Sequence, residues 1–375
     1  MNVLWIGDAI VNSGFSIVTH SICNELCQKC DIDVFGIRYD GRETHPYPYH
    51  IYPGRLDKDI YSVDYANELI NKTRPDVVII FNDDHVINSY LKNIVLPPGT
   101  RVIPMFPVNM LPVDKESIMG FGDSTVLTYT NFSRNKVREV NPNLTISAVY
   151  HGVNHDVFQK VDGVKESVGL KDSFVVGTIN SNTYRKRLDL FLKGFAKFAK
   201  GKSDVKCLIH ATNKDYSYEL GNIVNDLGIG NKTILSTSPR DFIEINALYN
   251  MMDVNVNTSM GEGFGLSLIE GAACGVPVLC PSHGNLTDIW TQGAEFIDIE
   301  DQEYVAGTKF VGGRISIDSM ADKLDKLYEK RDYTKELGGL ALEHSNESKF
   351  SWETVASKVY KAIFDVNFSK ISYIT

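Results

Sequence analysis

Short apolar runs recur along this chain, separated by longer stretches in which apolar residues keep a helical period. In the first half the runs cover residues 3–6, 34–37, 77–81, 102–105 and 125–127. In the second half they cover 174–179, 206–210, 233–235, 254–256 and 276–279. Continuous Val, Ile, Leu and Phe without a polar alternate suits strands buried on both faces, covered by the helices between them. Such alternation predicts parallel sheets in an α/β chain. Two series predict two doubly wound, Rossmann-like domains, joined in the turn-rich stretch 152–169. Ligands of open α/β sheets bind beyond the carboxyl ends of the strands, so two domains facing across a cleft would hold a site there.

The most informative segment is Gly261-Glu-Gly-Phe-Gly-Leu-Ser-Leu-Ile-Glu-Gly-Ala-Ala-Cys-Gly-Val-Pro-Val-Leu-Cys280. A strand leads in at 254–258 and another leads out at 276–279. Gly261, Gly263 and Gly265 allow a sharp turn and close approach to a ligand. The helix predicted over 266–274 aims its first free N–H groups at that turn, an arrangement that suits phosphate. Glu262 stands just before the helix and Glu270 about one turn inside it. Carboxylates so placed would accept sugar hydroxyls while the amides between them held phosphates.

This segment resembles the Glu-x7-Glu motif of family-4 retaining glycosyltransferases, which have the GT-B fold. The match includes Glu262, Gly263, Phe264, Gly265, Leu266, Glu270, Ala273, Gly275, Pro277 and Val278. The resemblance implies that Glu262 contacts the donor sugar, Glu270 the nucleotide ribose, and the 263–266 amides the diphosphate. Asn180-Ser-Asn-Thr-Tyr-Arg-Lys-Arg187 resembles the family's Arg-Lys-Gly segment, making Arg185 and Lys186 the cations that pair with the diphosphate. Breaking a sugar–phosphate bond builds negative charge, which fixed cations stabilise. Arg187 stands where the family usually has Gly. Tyr150-His-Gly-Val-Asn154 resembles the family's junction, with Asn154 in place of Asp, and Phe350-Ser-Trp-Glu-Thr354 resembles its closing helix. The implied organisation is an acceptor-side domain over 1–160, a nucleotide-sugar domain over 161–350, and a segment 351–375 crossing back to the first domain. The family is described with front-face attack, in which the departing phosphate oxygen takes the acceptor's proton.

Other candidates lie in the first half. Ser13 and Gly14 fall in the loop after the first strand, where family members carry a glycine-bearing loop near the donor diphosphate and the acceptor, and where an ordinary strand-to-helix turn also fits. Asp84 and His85 end an apolar strand and suit either acceptor orientation and acid–base work or capping of the next helix. His151, at the junction, suits a hydrogen-bonded structural histidine before one facing the cleft, and the 282–287 loop could close over the nucleotide. Pro104-Met-Phe-Pro-Val-Asn-Met-Leu-Pro112 is too apolar for an idle loop, and packing, acceptor contact and membrane-surface contact all fit it.

At 375 residues the chain accommodates two α/β domains. Its net charge of −9 counts against nucleic acid as the main partner without excluding a local basic groove. No apolar run approaches the ~18 residues of a membrane span. The opening strand lacks the form of a signal peptide, so a cytoplasmic protein is expected, with attachment at a membrane surface left open. Neither half carries Gly-x-Gly-x-x-Gly after its first strand, and zinc spacing and a Gly-Lys-Ser/Thr loop are missing. The resemblance implies a nucleotide-diphosphate sugar as co-substrate, UDP-sugar before GDP-sugar, and an acceptor hydroxyl, with no metal or other cofactor. Glycan, lipid, protein, small molecule and modified DNA are all open as acceptors. Leu4-Trp-Ile-Gly-Asp8 resembles the opening of virus-encoded members, some of which act on modified DNA bases. Two readings from other classes stand beside this one: a donor-binding protein without transfer, and an iron–sulfur enzyme built on the Cys-x3-Cys-x2-Cys spacing of Cys23, Cys27 and Cys30. Small buried or half-buried thiols on a helix face are the preferred reading of those three cysteines, and the cluster is the remote one.

Overall fold

A computed structural model describes residues 1–55, 59–213, 218–305 and 307–364, and the chain divides into two compact units. The first comprises Met1–Val108, Val113–Gly152 and the chain from Lys349 onward; the second comprises Asn109–Pro112 and Val153–Ser348.

The first unit is built on β1 (Asn2–Asp8), β2 (Asp31–Ile37), β3 (Ile51–Pro53), β4 (Val77–Phe81), β5 (Arg101–Met105), β6 (Thr125–Thr128) and β7 (Thr145–Ala148). They form one sheet in the order β3-β2-β1-β4-β5-β6-β7, and every neighbouring pair is parallel. Val77-Val-Ile-Ile-Phe81 is wholly buried, which puts this purely apolar run in the middle of the sheet. The periodicity missed β3 and β7, because one has three residues and the other carries Thr and Ser on a sheet edge. Strand order reverses between β1 and β4, so the loops that follow them, at 9–13 and 82–83, emerge side by side.

The helix Trp352–Phe364 belongs to this unit and packs on the helix Gly14–Leu26. Trp352 lies so close to Gly152 that a Cβ there would come within 2.6 Å of the indole. The Arg101 guanidinium donates to the Ile363 carbonyl at the helix's far end. The rest of the expected closing segment, 365–375, lies outside the described residues.

In the second unit β8 (Phe174–Asn182), β9 (Val205–Asn213), β10 (Thr233–Ser236), β11 (Val254–Val256), β12 (Val278–Pro281) and β13 (Ala294–Ile297) form a parallel sheet ordered β10-β9-β8-β11-β12-β13. Phe174, Phe191, Phe195 and Phe198 fill the core on one side of it. Here the order reverses between β8 and β11, which sets the turns after those two strands next to each other. A hairpin of β14 (Ile299–Tyr304) and β15 (Val311–Ile315) follows. No apolar alternation announced it, since Glu300, Asp301, Glu303, Gly312 and Gly313 occupy much of its length.

Two parallel sheets alternating with helices make this an α/β chain of two doubly wound units, as the apolar runs predicted. The apolar 104–112 segment is used for packing. Met105, Phe106 and Val108 are buried. Leu111 adds to the hairpin, its carbonyl accepting from Val311 N at 2.7 Å.

Candidate active site

The turn after β11 is forced by its glycines. A Cβ at Gly261 would overlap the Asn109 carbonyl oxygen and lie 2.6 Å from Met110. Gly265 holds φ +89°, a left-handed conformation that glycine adopts without strain, and it starts the helix Leu266–Ala273. Glu262, between these two points, is buried. Its Oε1 accepts from Lys186 Nζ (2.5 Å), Ser259 Oγ (2.7 Å) and Asn257 Nδ2 (3.0 Å), and its Oε2 from Arg185 Nη1 (3.1 Å). The Asn285 side chain donates to the Glu262 carbonyl at 2.7 Å, which brings the 282–287 loop to the same place.

Arg185 and Lys186 occupy the single 3-10 turn Tyr184–Lys186 that follows β8. Two sets of bonds stitch this turn to the one after β11. Thr258 Oγ1 donates to the carbonyls of Lys186 and Arg187 at 3.0 Å each, and Met260 N donates to the Arg185 carbonyl at 2.9 Å. Arg185 also donates to the Gly261 carbonyl. Strand order thus assembles a carboxylate and two cations from segments more than seventy residues apart. Burial alone would raise the Glu262 carboxyl, but the Lys186 and Arg185 charges hold it well below the usual carboxylate range. Burial draws the Lys186 ammonium down to about 8 against the opposing pull of Glu262.

Glu270 is also buried, but with a different partner. Tyr249 donates its hydroxyl to Oε2 at 2.8 Å. Burial pushes the Glu270 carboxyl up to about 7, and the tyrosine bond opposes that rise. Two carboxylates eight residues apart therefore sit in opposite electrostatic settings, one neutralised by cations and one isolated.

Arg187, where the resembling family has Gly, keeps the left-handed backbone that a Gly would supply, at φ +49°. Its guanidinium forks onto Asp189 (3.0 and 3.2 Å) and reaches Glu303 of β14 at 2.5 Å. Tyr184 donates to the other oxygen of Glu303 at 2.8 Å. Arg187 thus ties the cation turn to the hairpin.

In the first unit Ser13 caps the helix Gly14–Leu26, accepting from Ser16 N at 3.1 Å and donating to Asp8 Oδ2 at 2.8 Å. Asp8 also receives the Arg38 guanidinium. Periodicity had marked Asp8 only as the end of a strand. Asp84 opens the helix Asp84–Asn93, where burial raises its carboxyl, and its Oδ1 accepts from His85 N at 2.9 Å. The His85 side chain is 70% exposed. His151 is buried between Tyr129 and Trp352, and burial lowers its imidazole to about 3. Asn154, in the junction, accepts from Asp156 N through its side chain at 2.9 Å, an Asx turn that Asp would make equally well.

Cys23 lies on the Gly14–Leu26 helix, Cys27 caps it and Cys30 follows it. Cys27 and Cys30 donate to carbonyls of their own helix, Asn24 (3.2 Å) and Leu26 (3.5 Å). No group of three His, Cys, Asp or Glu side chains among the described residues could hold a metal ion. No described helix is long and apolar enough to cross a membrane.

Sequence reasoning missed Asn257, Ser259 and Tyr249. Their signal was present as polar side chains in segments otherwise built for burial, beginning with Asn255 and Asn257 alternating with Val254 and Val256.

Two cations and a carboxylate thus converge on a turn beside a glycine-capped helix, beyond the carboxyl ends of parallel strands where open α/β sheets bind ligands. Residues 163–341 match the model of the family described as glycosyl transferases group 1. N-acetyl-alpha-D-glucosaminyl L-malate synthase of Bacillus anthracis is 26% identical over 320 residues, covering 83% of this chain and 76% of that protein. D-inositol 3-phosphate glycosyltransferase of Paenarthrobacter aurescens is 27% identical over 140 residues, 37% of this chain and 30% of that one. Among solved structures, sucrose-phosphate synthase of Thermosynechococcus elongatus superposes with a TM-score of 0.77 at 15% identity, over 97% of this chain and 99% of that one. Anabaena HepE, solved with UDP and glucose, gives 0.75 at 15% identity over 98% and 100%. Residues 163–341 thus carry a glycosyl transferases group 1 domain, and the chain shares the GT-B fold with these solved structures.

Proposed function

We propose that the protein is a retaining, metal-independent hexosyltransferase that moves a sugar from a nucleotide-diphosphate sugar to an acceptor hydroxyl. The observation that carries this reading is the convergence of Glu262, Arg185 and Lys186 beside the helix that bears Glu270. Glu262 holds hydroxyls of the donor sugar and Glu270 accepts from the ribose. Arg185, Lys186 and the amides of Phe264, Gly265 and Leu266 stabilise the diphosphate as charge builds on it. The bond from the anomeric carbon to the phosphate oxygen breaks, and the acceptor oxygen bonds to that carbon from the same face. The acceptor's proton passes to the departing phosphate oxygen, so no enzymic nucleophile is required.

UDP-sugars are the favoured donors, GDP-sugars next. Solved relatives of this fold support that order, since HepE is described with UDP and with UDP-glucose, and TarM of S. aureus with UDP. Curated relatives named for malate and inositol 3-phosphate favour a small anionic hydroxy compound as acceptor.

A thermal-shift screen with UDP, GDP, ADP and their sugar conjugates, with and without EDTA, tests the donor. The expected result is a rise with uridine nucleotides that EDTA does not abolish, because a ligand that binds only the native state raises the melting temperature. No rise with any nucleotide at millimolar concentration sinks the proposal. Product anomer configuration, read by NMR once an acceptor is found, decides between retention and inversion.

A further inference from the structure

The helix Phe242–Asn250 takes no part in the chemistry above, yet one of its faces holds two things together. Asn246, Tyr249 and Asn250 fall at spacings that share a helix face. Asn246 and Asn250 accept the backbone N–H groups of Gln159 (3.1 Å) and Val161 (2.7 Å), fixing the junction segment. Tyr249, between them, is fully buried and bonds Glu270 Oε2. Its ring meets Phe158 edge-on, centroids 6.0 Å apart, and a Cβ on Gly271 would come within 3.2 Å of it. A phenol packed this tightly has one position for its hydroxyl. Among the described residues Glu270 Oε1 has no hydrogen-bond partner, so Tyr249 occupies one carboxylate oxygen and leaves the other to a ligand.

We infer that Tyr249 is a positioning residue for donor binding, whose hydroxyl orients Glu270 so that Oε1 accepts a ribose hydroxyl. This rests on the donor reading above. A carboxylate already held by one donor presents its second oxygen in a fixed direction and accepts more strongly when ionised. With Phe at 249 the carboxyl keeps its burial and loses its donor, so it protonates more readily and turns more freely. The ionisable groups that interact with Glu270 are Tyr249 and, one turn along its own helix, Cys274; β11, β12 and the helix Arg331–Ser345 bring none that shifts it.

The test is calorimetric titration of the full chain with UDP from pH 5.5 to 8.5, on wild type, Tyr249→Phe, Glu270→Gln and the double variant. Carboxyl 13C NMR of Glu270 accompanies it without nucleotide. Tyr249→Phe is expected to weaken UDP roughly fivefold to tenfold at pH 7, the loss of one hydrogen bond to a charged group. Its Glu270 midpoint should move upward from about 7. In the Glu270→Gln background the same substitution should change UDP affinity less than twofold, whereas damage to the helix would weaken both backgrounds alike. Wild-type affinity and an unmoved midpoint in Tyr249→Phe overturn the inference, as does equal weakening in both backgrounds. A wild type that binds no nucleoside diphosphate, while Glu270 still titrates as expected, overturns the donor reading and takes the positioning role with it.

Discussion

Lys186 Nζ stands 2.5 Å from Glu262 Oε1, so the cation assigned to the diphosphate and the carboxylate assigned to the sugar neutralise each other. Arg185 adds the second cation at 3.1 Å. On the proposed roles, a diphosphate would compete with Glu262 for both, and its arrival would free the carboxylate for sugar hydroxyls. Glu262→Gln should therefore separate the two halves of the donor. UDP should bind roughly threefold to tenfold more tightly, because the cations lose their internal competitor. Sugar transfer should fall about 100-fold, because the hydroxyl acceptor is gone. Calorimetry with UDP and single-turnover rates with the UDP-sugar measure the two effects. Weaker UDP binding in this variant would refute the competition.

The pH profile follows from the contrast between Glu270, near 7, and Lys186, near 8. On the proposed roles, as pH rises through about 7, Glu270 should ionise and become the stronger acceptor for ribose, so donor capture should improve. As pH rises further through about 8, Lys186 loses its proton and the diphosphate loses a charge partner. The donor kcat/KM should be a narrow bell between those limbs, because it reports the free enzyme. Under kcat conditions the bound diphosphate holds the ammonium charged, so the alkaline limb should move upward. Lys186→Arg should remove that limb, since a guanidinium stays protonated. A profile flat from pH 6 to 9 would show that neither group governs donor capture.

Legibility followed the kind of signal each element carries. The five apolar runs of the first half correspond to β1, β2, β4, β5 and β6, where burial on both faces writes itself as unbroken hydrophobicity. The hairpin left no such mark, because it is half-exposed and held by ion pairs such as Arg314–Glu300. The glycine turn and the helix between Glu262 and Glu270 were readable from their spacing, and both glutamates are buried there. What surrounds them was not: Lys186 meets Glu262 only through a strand order that puts β8 beside β11, and order is a long-range property. Tyr249 was invisible for the same reason, being one tyrosine in a helix whose partner is decided by packing.

Arg187 shows how a local strain is offset. Its φ of +49° disfavours any residue with a Cβ, and its fork to Asp189 and Glu303 compensates. Arg187→Ala keeps the strain and strips the pairs, leaving Asp189 with Lys193 at 3.6 Å and the Tyr218 hydroxyl. The expected loss is about 3 kcal/mol, at the low end for a broken buried pair because Glu303 is 33% exposed. Arg187→Gly loses the same pairs but relaxes the backbone, so it should be ~1 kcal/mol more stable than the Ala variant. Denaturant midpoints of the three proteins check the order wild type, Gly, Ala. An Ala variant as stable as the Gly variant would mean the backbone carries no strain.

Gly261 makes the opposite case, a glycine required by space. A Cβ there would drive into the Asn109 carbonyl oxygen, a backbone atom that cannot swing aside, and crowd Met110 at 2.6 Å. Gly261→Ala must push the turn away from the Asn109–Pro112 segment, and Glu262 is the next residue. We expect roughly 2 kcal/mol of destabilisation, typical of overpacking. Sugar transfer should fall further than stability explains, because displacing Glu262 disturbs its bonds to Lys186, Ser259 and Asn257. Gly339→Ala is the control. That glycine is exposed within the helix Arg331–Ser345 with nothing near its missing Cβ, so alanine there should stabilise by up to ~1 kcal/mol and leave transfer unchanged. If both alanines moved stability in the same direction, close approach at Gly261 would not be what the glycine serves.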